Sequence, residues 1–331
     1  MLPTVGIMTG DPNGIGPEVT IKALASGRLK SRCRPLIVGS RAVVEQAVRV
    51  AAPGLAVRSA AGPHDTDPDE RVIDVLESAA YDGDPTCYRG DLAVGGAATG
   101  AWIDHLDRLA RDGKLDACVM GPISGKAMQL AGTLGSVPSY SPHDPAYLLL
   151  RSGRLVIAHL TDHMPLRDVS AAITAEAVHR LIVCLSRSLH AWGVGAGRIA
   201  VAGFNPHAAG DEETSSIAPA VSRARGEGIS VEGPVSPDSV FRQCIEGHYD
   251  AVVAMYHDQG HIPIKTWGFS GNCVLFLGPS YVHTSVAHGT AHDIVGTGTA
   301  DASMMFNAIA DAASLAIGKG FAMIEQDRVP R

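Results

Sequence analysis

"TVGIMTGDPNGIGPEVTIKALAS" (Thr4–Ser26) starts with a short apolar run, passes through a turn rich in glycine and proline, and continues as a helix-like stretch. Its reading decides the fold class. The apolar run has the length of a buried strand, and the second half spaces its apolar residues as a helix does, so the segment reads strand–turn–helix. Pro17 suits the first helical turn, and Glu18 complements the positive helix end. The turn invites a dinucleotide fingerprint. That spacing, G-x-G-x-x-G from Gly14, requires a glycine at position 19, where the chain has Val19. An ordinary strand-to-helix turn remains open.

The alternation continues along the chain. "RPLIVGS", "LDACVMGPI", "GRLVIAHLTD", "GRIAVAGFNPH", "YDAVVAMYHDQ" and "CVLFLG" read as strands, and "RAVVEQAVRVA", "SGKAMQLAG", "AEAVHRLIVCLSRSLHAWG" and "IAPAVSRARGEG" as helices. Strands alternating with helices predict an α/β fold with largely parallel pairing. "GPHDTDPDERV" and "YDGDPTCYRG" read as surface connections, and "LGSVPSYSPHDPAY", with prolines at 138, 142 and 145, as a hinge or cleft loop.

The chain has 331 residues, 46% hydrophobic and 18% charged, enough for a large core divided between two domains. A net charge of −7 and the lack of a basic run argue against non-specific nucleic-acid binding. The six cysteines (33, 87, 118, 184, 244, 273) form no C-x-x-C pair, which disfavours a thiolate zinc site or a disulfide framework. The N-terminus lacks signal-peptide character, and no apolar run reaches membrane-spanning length. The expectation is a soluble cytoplasmic protein with neither nucleic acid nor membrane as partner.

Histidines stand where strands are expected to end: His163 in "LTDHMPLRD", His207 in "GFNPHAAG" and His257 in "MYHDQGHIPIK". Ligands bind at the carboxyl ends of parallel strands, and converging neutral imidazoles hold Zn²⁺ or a similar ion. With fourteen histidines in the chain, unrelated positions are the alternative. Asp162, Asp238 and Asp258 can orient imidazoles or add ligands; equally, Asp238 can cap a helix and Asp162 close a turn. Lys265 can meet an anionic group or simply lie on the surface. "TSVAHGTAHDIVGTGTAD" (Thr284–Asp301) has the small residues that close backbone approach requires, and also reads as a glycine-rich loop before a helix.

Taken together, "GDPNGIGPE", "GPIS", "NPHA", "GP-x-x-x-D", "YHDQGHIPIK", "TSVAHGTA" and "GTGTAD" resemble the 4-hydroxythreonine-4-phosphate dehydrogenase (PdxA) family, in its order and end to end. The segment "HGTAHDIVGTGTAD" is also similar to the adenine-binding segment of isopropylmalate dehydrogenases. The resemblance implies a two-domain isocitrate/isopropylmalate dehydrogenase-like α/β architecture with an interdomain cleft. Residues 1–133 and 286–331 would form one domain, and residues 134–285 the other, carrying the metal ligands and a homodimer interface. It assigns one divalent ion (zinc first, magnesium or cobalt otherwise) to His163, His207 and His257, shared between subunits. It makes these histidines and Lys265 catalytic, assigns substrate contacts to His143, Asp144 and Lys265, and places NAD or NADP along His288, Gly289, Thr290, Ala291, Asp293 and Ile294.

The chain departs from the family pattern at several positions. Val274 and His283 stand where the resemblance implies a substrate-binding Asn and Arg, Asp144 replaces a Thr, and Gly125 replaces a Lys, with Lys126 displaced by one. Losing an Arg–phosphate contact costs on the order of 1.5–3 kcal/mol. The implied activity is oxidation of a β-hydroxy acid, such as 4-hydroxythreonine 4-phosphate, to a β-keto acid that decarboxylates. The alternatives are a terephthalate-type cis-dihydrodiol dicarboxylate dehydrogenase, a catalytically silent small-molecule binding protein, and a metal-dependent hydrolase.

Overall fold

The opening stretch folds as strand, turn and helix in the computed structural model, which describes residues 2–323 except 80, 87–89, 143–145 and 269–271. Strand β1 (Thr4–Met8) is buried throughout, and α1 (Gly16–Ala25) carries Pro17 and Glu18 in its first turn. The turn depends on glycine: Gly10 has φ of +91°, and a side chain at Gly16 would collide with the Thr9 carbonyl oxygen. Glu18 does more than face the helix dipole. Its Oε1 accepts from Ala300 N at 2.9 Å and lies 2.9 Å from Lys22 Nζ, tying α1 to the distant glycine-rich segment.

The chain continues through β2 (Arg34–Gly39), α2 (Arg41–Ala51), β3 (Ala56–Ser59), β4 (Val72–Glu77), α3 (Leu92–Arg111), β5 (Ala117–Met120) and α4 (Gly125–Ala131). Next come β6 (Tyr147–Ser152), β7 (Leu155–His159), α5 (Leu166–Ala172), α6 (Ala175–Trp192), β8 (Ile199–Ala202), α7 (Ala218–Gly226) and β9 (Val231–Val235). Last are α8 (Val240–Ile245), β10 (Ala251–Ala254), α9 (His257–Trp267), β11 (Cys273–Leu277), β12 (Val282–Val286) and α10 (Ser303–Ala316). Among the described residues no single helix is long and apolar enough to cross a membrane.

The chain divides into two compact units, residues 1–145 with 279–317, and residues 146–278 with 318–331. The first crossing falls later than the expected 133/134, because the 3-10 turn Leu134–Ser136 packs with α3 and α4, and the next turn, Pro138–Tyr140, packs with it. The second falls before 285/286, because β12 pairs with β5. The described residues from Gly318 to Met323 group with the second unit rather than the first.

The first unit orders its strands β3-β4-β2-β1-β5-β12, each neighbour parallel. The second orders them β11-β6-β7-β10-β8-β9. There β7, β10, β8 and β9 run parallel, whereas β6 is antiparallel to both β7 and β11. A tight reversal after Ser152 makes this hairpin, which the largely parallel expectation did not contain. Its core joins Leu150, Ile157, Val252, Val240 and Ile264. Ile264 thereby anchors α9 to the sheet, and burying such a side chain contributes roughly 1.5–3 kcal/mol.

Candidate metal centre

Parallel β7 and β10 lie side by side, with Ala254 opposite His159, so the loops leaving their carboxyl ends emerge together. One loop carries Asp162 and His163, and the other starts α9 at His257. A ligand atom from each of these residues lies within 4.8 Å of the other two, and the imidazole rings are 4.9 Å apart. Asp258 Oδ1 sits 2.7 Å from His257 Nδ1. That hydrogen bond holds the Asp258 carboxyl below its usual range. An ionised carboxylate only accepts, so His257 Nδ1 donates and Nε2 keeps the lone pair a metal needs. Asp162 Oδ1 is 2.8 Å from His163 Nδ1. Burial raises the Asp162 pKa, and His163 opposes the shift. Two imidazoles and a carboxylate at this separation fit a divalent ion.

Beneath them lie imidazoles that the strand-end reasoning did not single out. His261 stacks on His257, with centroids 3.5 Å apart and planes 13° apart, and His159 lies 4.8 Å beyond His261. Burial drives the His159 pKa down to about 3; burial and then the neighbouring His257 bring His261 to about 4. Both rings are therefore neutral near pH 7. The spacing of His257 and His261, four residues apart on a helix, was the available signal.

His207 does not join this group. It sits after Pro206 in a left-handed turn (φ 56°), is 82% exposed, and lies 3.8 Å from Asp238 Oδ2. Asp238 accepts from Ser236 Oγ, and the N-cap of α8 is Ser239, so the capping alternative for Asp238 does not hold. Asp162 does close a turn, its carbonyl accepting from Met164 N. The His207 turn is tied by Glu213, which the sequence reading missed. Its Oε1 accepts from Phe204 N and Asn205 N, each at 2.7 Å. Burial pushes the Glu213 pKa up, but these bonds and the Asn205 side chain outweigh it and leave the pKa lowered.

Lys265 is exposed on α9, two turns beyond His257. Val274 packs against the hydrophobic core of its unit. His283, expected at the substrate, is fully buried in β12, with Nδ1 3.5 Å from Asp107 Oδ1; burial lowers its pKa and Asp107 opposes that. His143 and Asp144 lie outside the described residues. In the first unit, the segment expected to take the cofactor is held against the opening turn: Thr290 O accepts from Ile15 N at 2.9 Å, and His292 Nδ1 lies 3.0 Å from Asn13 O. A Cβ on Gly14 would press into Thr290. Ala291 takes φ of 41°, His288 Nδ1 meets Gly289 O at 2.9 Å, and Gly289 and Asp293 are exposed. Next in sequence, Val295 and Gly296 help line a shallow, half-open depression with Pro12, Gly14, Glu18, Val43 and Gln46.

A family model described as pyridoxal phosphate biosynthetic protein PdxA matches residues 31–312. A putative 4-hydroxythreonine-4-phosphate dehydrogenase of Novosphingobium aromaticivorans is 50% identical over 319 residues, 96% of each chain. The solved 4-hydroxythreonine-4-phosphate dehydrogenase of Klebsiella pneumoniae is similar at 35% identity and a TM-score of 0.84, covering 96% of this chain and 98% of that one. A terephthalate 1,2-cis-dihydrodiol dehydrogenase of Burkholderia xenovorans LB400 is similar at 29% identity and a TM-score of 0.66, covering 94% and 98%.

Proposed function

The chain belongs to the PdxA family, and from that premise we propose that it is a divalent-metal- and NAD-dependent dehydrogenase, oxidising a β-hydroxy acid to a β-keto acid that decarboxylates. The observation that carries this reading is the convergence of Asp162, His163 and His257. A divalent ion there would supply Lewis acidity toward a substrate hydroxyl, and NAD would supply the hydride acceptor. The chain's part is positional. Asp258 keeps the His257 Nε2 lone pair available, and Lys265, on the same helix, offers a cation to an anionic substrate group. A homodimer with shared metal sites gives His207 its place, as an imidazole arriving across the interface. The segment from His288 to Ile294 would take the cofactor.

The family names favour a phosphorylated hydroxy acid such as 4-hydroxythreonine 4-phosphate. A second reading, a non-phosphorylated cis-dihydrodiol dicarboxylate, is favoured by Val274 and His283. One is packed on a core and the other is sealed beside Asp107, so neither offers phosphate a cation.

The test is NADH formation with both substrate classes, before and after EDTA. Loss on chelation and recovery with Zn²⁺, Mg²⁺ or Co²⁺ is expected. Full turnover by rigorously metal-free protein would refute the metal-dependent reading, and no turnover with any hydroxy acid would favour a silent binding protein. The kcat/KM ranking of the two classes decides the substrate.

A further inference from the structure

We propose that His261 is a positioning residue for His257, holding that imidazole in its metal-binding orientation by stacking against its face. The proposal rests on the reading of Asp162, His163 and His257 as a metal centre. It concerns a residue outside that ligand set.

His257 is the first residue of α9, so no preceding helical turn confines its ring. Helical side chains lean toward the N-terminus, which brings residue i+4 over residue i. Here the lean produces a parallel stack of His261 on His257, 3.5 Å between centroids and 13° between planes. Asp258 fixes one edge of the His257 ring at Nδ1, and His261 covers one face. An edge contact and a face contact together restrict both side-chain torsions. Either contact alone leaves one of them free.

The stacking ring is itself held. His261 Nδ1 lies 3.0 Å from the His257 carbonyl oxygen; a carbonyl only accepts, so Nδ1 donates and the ring plane is set. Behind it stands His159, 2% exposed at the end of β7, with Nδ1 3.2 Å from Leu148 O and its ring 4.8 Å from His261. Gly260 makes that arrangement possible, since a Cβ there would collide with His159 Nε2. The imidazoles thus form a file from the strand end to the ligand, each backing the next.

The rival explanation is that His261 only fills space between α9 and β7. Shape and metal affinity separate the two. Metal-free protein would be titrated with Co²⁺, followed by its visible absorption and by competition with a chromogenic chelator, for wild type, His257→Ala, His261→Ala, His261→Phe and His261→Leu. The melting temperature of each metal-free form would be recorded alongside. Stacking predicts about tenfold weaker Co²⁺ binding for His261→Ala, the scale of losing an orienting group. It also predicts substantial recovery in Phe, whose flat ring can stack, and little in Leu, which fills comparable volume without a flat face. Equal affinities for Phe and Leu, or Phe no better than Ala, would overturn the positioning role. So would an unchanged affinity in His261→Ala, or affinity losses that simply follow the melting temperatures. If wild type and His257→Ala bind Co²⁺ alike, the metal reading itself has failed, and that result is distinct from failure of the stack.

Discussion

A buried imidazole resists protonation because no water is there to solvate the charge, and His283 is such a ring, its lowered pKa set by burial and opposed by nearby Asp107. In the unfolded chain a histidine titrates near pH 6.5. Below that pH the unfolded state takes up a proton that the folded state binds less readily, so stability falls as pH drops. The urea midpoint of wild type should therefore decline more steeply from pH 7 to pH 5 than that of His283→Asn; parallel declines would show that the ring titrates normally. A second residue-scale prediction concerns Asp258, whose side chain is 69% exposed. Removing it costs the fold little, yet Asp258→Ala frees His257 Nδ1 and should weaken Zn²⁺ binding about 10–100-fold. Calorimetric titration checks this, and unchanged affinity counts against the assigned tautomer. At this scale the strand-end histidines His163 and His257 and the aspartate at 162 were readable from the sequence, and the fold brings these three together. Glu213 was not. It belongs to "DEETS", which looks like any solvated acidic run until the Asn205 turn folds over it. His283 was read as a substrate contact because a sequence shows a residue's type and hides its direction.

Helix α3, "LAVGGAATGAWIDHLDRLAR", shows why elements were missed. Glycines at 95, 96 and 100 weaken any helical reading, since each costs up to about 1 kcal/mol relative to alanine in a helix. Packing explains them. A Cβ on Gly96 would collide with the Ala127 carbonyl oxygen in α4, and one on Gly100 would collide with Thr133. The close approach is sealed by Thr133 Oγ1 donating to Gly96 O at 2.9 Å, and Asp91 caps the helix start through Ala93 N at 2.7 Å. Gly96→Ala therefore sets roughly 1 kcal/mol of propensity gain against an overpacking cost of about 1–3 kcal/mol. Backbone atoms cannot rotate away, so the cost should win, and urea unfolding should show net destabilisation. A stabilised variant would mean that α3 and α4 have room to spare. The same logic hid α9, which contains Gly260 and Pro263. Strands β1, β2, β5, β7, β8, β10 and β11 were legible as apolar runs. β9, "VEGPV", and β12, "VHTSV", were not, since their pairing partners rather than their own hydrophobicity make them strands.

The route of the chain between its two units was legible only in outline. Similarity to a two-domain family suggested one excursion and return, with the C-terminus staying in the first unit. Instead, the segment after α10 packs with the second. Gly320 N donates to Trp192 O at 2.7 Å, and Arg151 Nη2 donates to Ala322 O at 3.2 Å. The Phe321 ring lies 4.9 Å from the Arg151 guanidinium and 6.4 Å edge-on from Trp192. No hydrophobic pattern announces so short a segment; its anchors are backbone groups and one aromatic ring. The cation–π contact is worth roughly 0.5–1 kcal/mol and the aromatic pair about 0.5–1.5 kcal/mol. Phe321→Ala should then cost about 1–2 kcal/mol, and the loss should be local. Native-state hydrogen exchange should report reduced protection at the end of α6 and along β6, with β1 and β5 unaffected. Equal loss in both units would mean that they open as a single cooperative body, and that the late return of the chain joins them energetically instead of merely completing one.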